Sequence, residues 1–135
     1  MYQENNGKIV LVHARPFLVC ILYRNEKKGF WAFYMNFDIV YPRNLDQYLA
    51  SENGILLDVR PPEEYMKGHW RGAKNFPYED VDRWEKMLPG KRRLVFYCSH
   101  GGGSMQLARR FGMQGYRTAT VIGGYPAMMK YLQNK

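Results

Sequence analysis

From residue 37 to residue 133, short apolar runs alternate with segments in which apolar residues recur every three or four positions. The runs are rich in β-branched and aromatic residues and bounded by polar ones, which predicts short buried strands. They are FDIVY (37–41), ILLDV (55–59), RLVFY (93–97) and TATVI (118–122), with a weaker run at GAKNF (72–76).

The segments between and after these runs predict helices. In the first, Asn44 is a candidate N-cap with Gln47 three residues later, and in the second two glutamates follow prolines at the start. The predicted helices are NLDQYLA (44–50), PPEEYMKG (61–68), YEDVDRWEKML (78–88), SMQLARRFGM (104–113) and PAMMKYLQ (126–133). Alternating strands and helices predict an α/β fold whose mostly parallel sheet is covered by helices.

This topology predicts where a ligand binds. In open parallel sheets the crevice lies outside the carboxyl ends of the strands. Cys98 directly follows one predicted strand and Arg60 directly follows another, so both are expected at that edge. The basic residues 91–93 precede a strand and are expected at the opposite edge.

The stretch YCSHGGGS (97–104) joins a strand to a helix and carries the candidate nucleophile. An ordinary thiol of pKa about 8.5 is only about 3% thiolate at neutral pH, so something must favour the anion. A helix starting at Ser104 points its N–H groups at the loop, and successive glycines let backbone donors converge on one small anion. We therefore predict Cys98 as the catalytic residue, because without the glycines such a cysteine is usually only a buried small hydrophobe.

The rest of the loop is predicted to bind substrate. Its residues are Ser99, His100, Gly101, Gly102, Gly103 and Ser104. For His100, contact with the substrate is a better-supported role than general-base catalysis, although many loop histidines have neither role. His69, which follows the helix ending at Gly68, is predicted to make a structural hydrogen bond.

Three blocks in this order, LLDVRPPEEYMKGHWRGAKNFP, LVFYCSHGGGS and GYRTATVIGGYPAM, resemble the rhodanese family, and specifically its single-domain thiosulfate sulfurtransferases. The resemblance covers roughly residues 37–135 and implies a rhodanese-like fold with a five-stranded, mostly parallel sheet and helices on both faces. It also implies that Cys98 carries a transferable sulfur as a persulfide, with Asp58 and Arg60 as supporting groups. The sequence departs from the family at Trp70 and Arg71, where a small aliphatic residue and proline are common.

A third departure is Gly103, which stands where many members have arginine. Cdc25-like phosphatases and arsenate reductases share this architecture, but a tetrahedral dianion usually needs an arginine fork that this loop lacks. The expected activity is therefore transfer of sulfane sulfur from a donor such as thiosulfate to cyanide or a thiol. A non-catalytic rhodanese-like module that binds a partner remains the alternative, and it predicts that Cys98→Ser leaves function intact.

The composition bears on domain number, partners and cellular compartment. The chain of 135 residues is 46% hydrophobic, which is enough for one domain core, and its net charge of +8 favours anionic partners. The excess of basic residues is spread along the chain, so nucleic acid is not expected as a partner. The expected partners are a small anionic sulfur donor and a thiol or small-molecule acceptor. Two distant cysteines, Cys20 and Cys98, and eight methionines without a secretory signal indicate a cytoplasmic protein. No membrane segment, metal or other cofactor is expected.

Residues 1–36 lie outside the resemblance and are assigned as an N-terminal extension, with residues 37–135 as the domain. IVLVHA, FLVCILYR and GFWAFYMNF predict three strands, the last two forming a hairpin across NEKKG, or alternatively a hydrophobic segment packed on the domain. Cys20 is interpreted as a packing residue. One hypothesis is that synthesis starts at Met35, two residues before the first strand of the domain.

Overall fold

The computed structural model describes residues 36–135 in full, together with the backbone of residues 10–15, 18–25 and 30–33. The strands, numbered in chain order, are β1 (Val10–Arg15), β2 (Leu18–Asn25), β3 (Phe30–Phe33), β4 (Asp38–Val40), β5 (Gly54–Asp58), β6 (Lys74–Asn75), β7 (Arg93–Tyr97) and β8 (Thr118–Val121). The helices are α1 (Leu45–Ser51), α2 (Pro62–Lys67), α3 (Val81–Trp84), α4 (Gly102–Met113) and α5 (Gly124–Gln133).

Strands β4 to β8 form one sheet in the order β4-β8-β7-β5-β6, and every neighbouring pair in it is parallel. The five-stranded parallel sheet expected from the sequence is confirmed, although its weakest strand is only the two-residue β6. Separately, β1, β2 and β3 pair antiparallel in chain order, which confirms the three predicted N-terminal strands. The antiparallel pairing of β2 with β3 agrees with the predicted hairpin, whereas its turn residues 26–29 and the Cys20 side chain lie outside the described residues.

The core lies on both faces of the sheet. Leu94 and Phe96 of β7 belong to a cluster with residues of α3 and α4, whereas Val95 and Tyr97 belong to a cluster with residues of α1 and α5. Because successive side chains of a strand point to opposite faces, a strand buried on both sides must be apolar throughout, and the run LVFY of β7 meets this requirement. Helices on both faces are therefore confirmed. Within the residues described, no helix combines the length and apolar character needed to cross a bilayer.

Two helices begin two residues earlier than the sequence predicts. Helix α4 begins at Gly102 and not at Ser104, and α5 begins at Gly124 and not at Pro126. In each case the preceding glycine, Gly101 or Gly123, has a left-handed backbone, with φ of +95° and +79°, and caps the helix. Glycine takes this conformation without the steric penalty that other residues meet, so both helices start within their glycine runs.

Two other helix predictions need correction. Asn44 makes no side-chain cap hydrogen bond, because it ends a 3₁₀ turn (Pro42–Asn44) and already has near-helical backbone angles. The predicted capping box is therefore absent. The predicted helix 78–88 is a chain of short pieces, with 3₁₀ turns at Tyr78–Asp80 and Glu85–Met87 on either side of α3. In this segment Trp84 is buried and its indole N–H donates to the Pro77 carbonyl at 2.7 Å.

The basic residues 91–93 lie at the amino end of β7, opposite the predicted site, but they do not form a solvated cluster. Arg93 is fully buried and pairs with Asp38 at 3.0 Å and Glu52 at 3.7 Å. Arg92 donates to the carbonyl of Gly54 at 3.0 Å. Much of this positive charge therefore serves the fold.

Candidate active site

Cys98 and Arg60 both lie at the carboxyl edge of the sheet, as the sequence predicts. Strands β5 and β7 are parallel neighbours, and their last residues, Asp58 and Tyr97, are register partners. Cys98 follows Tyr97 directly, and Arg60 comes two residues after Asp58. Two segments distant in sequence thus deliver their polar residues to one place.

The loop from Cys98 to Ser104 folds around the cysteine sulfur. The backbone N–H of Gly101 donates to Sγ at 2.9 Å, and the N–H of Ser104 reaches it at 3.4 Å. The Ser104 hydroxyl also lies 3.4 Å from Sγ. Since α4 begins at Gly102, these donors belong to the cap and first turn of that helix, where N–H groups have no partner within the helix. The sulfur therefore lies in a site suited to a negative charge.

These contacts change the acidity of the thiol. Burial alone raises the pKa of Cys98, but hydrogen bonds from the Ser104 side chain and from the backbone N–H groups of Ser104, His100 and Gly101 outweigh it. The pKa of Cys98 is consequently lower than that of an ordinary thiol. A larger thiolate fraction at neutral pH makes the sulfur a better nucleophile.

The start of α5 holds the loop from the other side. The N–H of Tyr125 donates to the Cys98 carbonyl at 2.8 Å. A Cβ on Gly124 would lie 2.6 Å from that carbonyl oxygen and 2.9 Å from the His100 nitrogen, and Gly124 also has φ of +66°. Only glycine fits this approach. Our sequence interpretation missed Gly124 and Tyr125, although the GG pair directly after a strand was a usable signal.

The other predicted loop residues have different surroundings. Ser99 donates its hydroxyl to the Glu64 carboxylate of α2 at 3.1 Å, which ties the loop to that helix. The His100 side chain is exposed, whereas its backbone N–H contributes to the low pKa of Cys98. A Cβ on Gly103 would lie 3.5 Å from the Tyr78 ring, an ordinary contact, so the fold leaves room for a side chain there.

A cavity of about 230 Å³ lies beside the loop. Its walls come from β4, the loop, α4 and the end of β8, and the lining residues in the described part of the chain include no Asp, Glu, Lys or Arg. The lining residues are Ile39, His100, Gly101, Gly102, Met105, Thr120, Val121, Ile122 and Gly123.

Asp58 and Arg60 form a buried ion pair and not an open anion receptor. The Arg60 Nη2 and Nε donate to the Asp58 carboxylate at 2.7 and 3.0 Å, and Nη2 also donates to the Gly68 carbonyl at 2.7 Å. The guanidinium lies 3.8 Å from the centre of the Tyr125 ring and is only 4% exposed. The Tyr97 hydroxyl donates to Asp58 at 2.7 Å, and burial together with this bond raises the pKa of Tyr97. The pair supports the elements that flank the loop.

His69 and Trp70 both make hydrogen bonds that stabilise the region after α2. The Nδ1 of His69 lies 2.9 Å from the Tyr65 carbonyl, the structural hydrogen bond that was predicted, so Nδ1 is the donor. Trp70, one of the departures from the family pattern, is buried and its indole N–H donates to Asp46 of α1 at 3.1 Å. In residues 36–135, no group of three or more His, Cys, Asp or Glu side chains is placed to hold a metal ion.

Comparisons with known proteins agree with this architecture. The family described as rhodanese-like domain matches residues 42–130. A tRNA sulfurtransferase of Pyrobaculum aerophilum is 31% identical over 97 residues, which cover 60% of this chain and 20% of that protein. The thiosulfate sulfurtransferase GlpE of Actinobacillus succinogenes is 27% identical over 92 residues, which cover 67% of this chain and 83% of that protein.

Solved structures give the same result for the fold. The reduced CoADR-RHD protein of Bacillus anthracis superposes with a TM-score of 0.67 at 25% identity, over 73% of this chain and 18% of that one. A rhodanese-related protein of Thermoplasma volcanium superposes with a TM-score of 0.65 at 21% identity, over 70% of this chain and 93% of that one. Cys98 thus lies in a glycine-rich loop at the carboxyl edge of a five-stranded parallel sheet, and the family matches residues 42–130. The chain therefore belongs to the rhodanese-like domain family.

Proposed function

We propose that this protein is a sulfurtransferase that carries sulfane sulfur as a persulfide on Cys98. The observation that carries the proposal is the set of donors around Sγ, namely the N–H groups of Gly101 and Ser104 and the Ser104 hydroxyl. These donors lower the thiol pKa and suit a sulfur that is anionic before and after loading. The names of the relatives, a tRNA sulfurtransferase and a thiosulfate sulfurtransferase, support sulfur transfer as the activity.

The reaction has two displacement steps. The Cys98 thiolate attacks the outer sulfur of a donor such as thiosulfate, a sulfur–sulfur bond forms to Cys98, and sulfite leaves with the electron pair of the broken bond. An acceptor nucleophile, cyanide or a thiol, then attacks the outer sulfur of the persulfide, and the Cys98 thiolate leaves. Both steps conserve charge and need no outside oxidant or reductant.

The charges around the loop bear on the donor. Residues 98–104 contain no lysine or arginine, and the guanidinium of Arg60 is already paired with Asp58. Negative charge on a bound donor would therefore be met mainly by backbone N–H groups. This arrangement suits one persulfide sulfur better than the three equatorial oxygens of a phosphoryl group, which usually require an arginine fork.

The test is mass spectrometry of the full chain after incubation with thiosulfate. We expect a gain of about 32 Da that maps to the Cys98 peptide and is reversed by a thiol reductant. Cyanide should remove the same mass and release thiocyanate. Cys20→Ser, which removes the other cysteine, should load as the wild type does, and Cys98→Ser should not load.

Two results would overturn the proposal. One is a folded protein that gains no sulfur on Cys98 from thiosulfate or from a low-molecular-weight persulfide. The other is a Cys98→Ser variant that transfers sulfur at the wild-type rate. Either would favour the non-catalytic partner-binding module.

A further inference from the structure

The Ser104 hydroxyl has more possible acceptors than protons. Its Oγ lies 3.4 Å from Cys98 Sγ, 3.2 Å from the Gly101 carbonyl oxygen and 2.8 Å from Thr120 Oγ1. Ser104 is fully buried, and Thr120 is 1% exposed and lines the cavity beside the loop. A serine hydroxyl has one proton and can donate to only one of the three. What decides its direction therefore matters for the cysteine.

Thr120 limits that choice. It lies on β8, directly beside β7, and within the described part of the chain its side-chain oxygen has one hydrogen-bond partner, Ser104 Oγ. If Ser104 donated to Thr120, the Thr120 proton would be buried without an acceptor among these contacts, which is unfavourable. The favoured arrangement has Thr120 donating to Ser104, which leaves the Ser104 proton for Sγ or for the Gly101 carbonyl.

The charge on sulfur then selects between those two acceptors. A hydrogen bond to an ionised acceptor is stronger than one to a neutral carbonyl, so a thiolate attracts the Ser104 proton. In addition, a hydroxyl that accepts one hydrogen bond becomes a better donor in the next, because consecutive hydrogen bonds polarise one another. In this chain of hydrogen bonds, the Thr120 hydroxyl donates to Ser104 Oγ, and the Ser104 hydroxyl donates to the Cys98 thiolate.

We propose that Thr120 is a positioning residue for sulfur transfer, whose hydroxyl directs the single Ser104 proton toward Cys98 Sγ and thereby stabilises the thiolate. The inference rests on the proposed role of Cys98 as the nucleophile. Thr120 makes no hydrogen bond to Cys98 Sγ and acts on the sulfur through Ser104. It extends the site from the loop into the neighbouring strand β8.

The charged and titratable groups near the loop come from other elements. Among the described residues they include Glu64 of α2, which accepts from Ser99, Tyr97 at the end of β7, Tyr125 of α5, and the paired Asp58 and Arg60, together with the exposed His100 of the loop itself. Thr120 is not in hydrogen-bond contact with any of these groups in the structure. Substitutions at Thr120 therefore leave the effects of these groups on the Cys98 pKa unchanged.

The test is the pH dependence of Cys98 alkylation by iodoacetamide, measured in a Cys20→Ser background so that one thiol reports. Thr120→Val keeps the shape of the side chain and removes its hydroxyl. We expect its pH profile to move to higher pH and its rate near pH 7 to fall roughly threefold to tenfold. Thr120→Ser retains a hydroxyl and should restore the wild-type profile. Thr120→Ala is a second variant without the hydroxyl, for use if the Thr120→Val protein does not fold.

A double-mutant cycle separates the relay from simple packing. In a Ser104→Ala background the hydroxyl of residue 120 no longer has the serine through which it acts, so Thr120→Val should not shift the profile further. A profile that is the same for Thr120→Val and wild type would overturn the inference, as would an equal shift in the Ser104→Ala background. Persulfide formation on Cys98 is measured separately, so a wild type that fails to load sulfur would refute the proposed function and leave the alkylation result intact.

Discussion

At the residue scale, the reactivity of Cys98 depends on where single donors point. Of the Sγ hydrogen bonds described above, the one from the Gly101 N–H is the shortest, and it forms because Gly101 adopts a left-handed backbone and caps α4. The side chain of His100, for which the sequence suggested contact with the substrate, is exposed. Its backbone N–H contributes instead to the low pKa of Cys98. For the acidity of the Cys98 thiol, Gly101 therefore matters more than the His100 side chain.

We predict that Gly101→Ala raises the pKa of Cys98 and slows sulfur loading. The nearest atom to a Cβ at this position is the Gly123 nitrogen at 3.7 Å, an ordinary contact, so the effect comes from the backbone, where φ of +95° is unfavourable for alanine by about 1–2 kcal/mol. Relief of that strain would move the N–H away from Sγ. The measurement is the alkylation pH profile together with the rate of sulfur uptake.

Gly90→Ala is the matched control, because Gly90 has no positive φ and a Cβ at this position would meet no atom within 4 Å. It should leave both quantities unchanged. A Gly101→Ala protein with the wild-type profile would show that the N–H of residue 101 contributes little to the low thiol pKa.

At the element scale, the site depends on how strands and helices meet at the carboxyl edge. Asp58 at the end of β5 binds Arg60 and also accepts from Tyr97 at the end of β7, while Arg60 packs under Tyr125 of α5. One carboxylate thus joins three elements around the loop. The family resemblance assigned supporting roles to Asp58 and Arg60, and the contacts are consistent with a structural form of support.

We predict that Asp58→Asn lowers the free energy of unfolding by about 3–5 kcal/mol, because it leaves the buried Arg60 charge without its partner. Urea denaturation measures this change. Asp82→Asn is the control, since Asp82 pairs with Arg110 at the surface with 88% of its side chain exposed, and an exposed pair contributes little. Equal stability of the two variants would contradict the assignment of Asp58 as the junction of these elements.

At the scale of the whole molecule, the two core clusters share one sheet. Phe111 packs against Trp84 and Phe96 on one face, and Met128 is fully buried in the cluster on the other face. Adjacent residues of β7 contribute to both clusters, so a loss on one face weakens the strand that the other face depends on. This arrangement favours cooperative unfolding of residues 36–135.

We predict that Phe111→Ala and Met128→Ala each shift one common unfolding transition to lower denaturant concentration. The expected losses are about 3–5 kcal/mol for the phenylalanine and about 2–5 kcal/mol for the methionine. Far-UV and near-UV circular dichroism, followed in the same titration, should give coincident curves for each variant. Separate transitions, with only one shifted by each substitution, would show that the two faces unfold independently.

Much of this organisation follows from local sequence. Apolar runs of strand length that alternate with amphipathic segments predict a parallel α/β sheet, and strand direction then places Cys98 and Arg60 at one edge. The glycines after Cys98 indicate a helix start that binds an anion, since few other residues allow that backbone. Such signals are readable because they depend on the chemistry of neighbouring residues in the chain.

The tertiary structure decided the details that control reactivity. Thr120 lies 16 residues from Ser104, and Tyr97 lies 39 residues from Asp58, yet each pair shares a hydrogen bond. The close approach of Gly124 to Cys98, the pairing that removes Arg60 from the surface and the burial of Arg93 are of the same kind. These contacts join segments that only the packing of the sheet brings together, so no local pattern encodes the direction of a buried proton or the partner of a buried charge. The sequence by itself determined the fold and the position of the cysteine, and the three-dimensional packing determined what surrounds its sulfur.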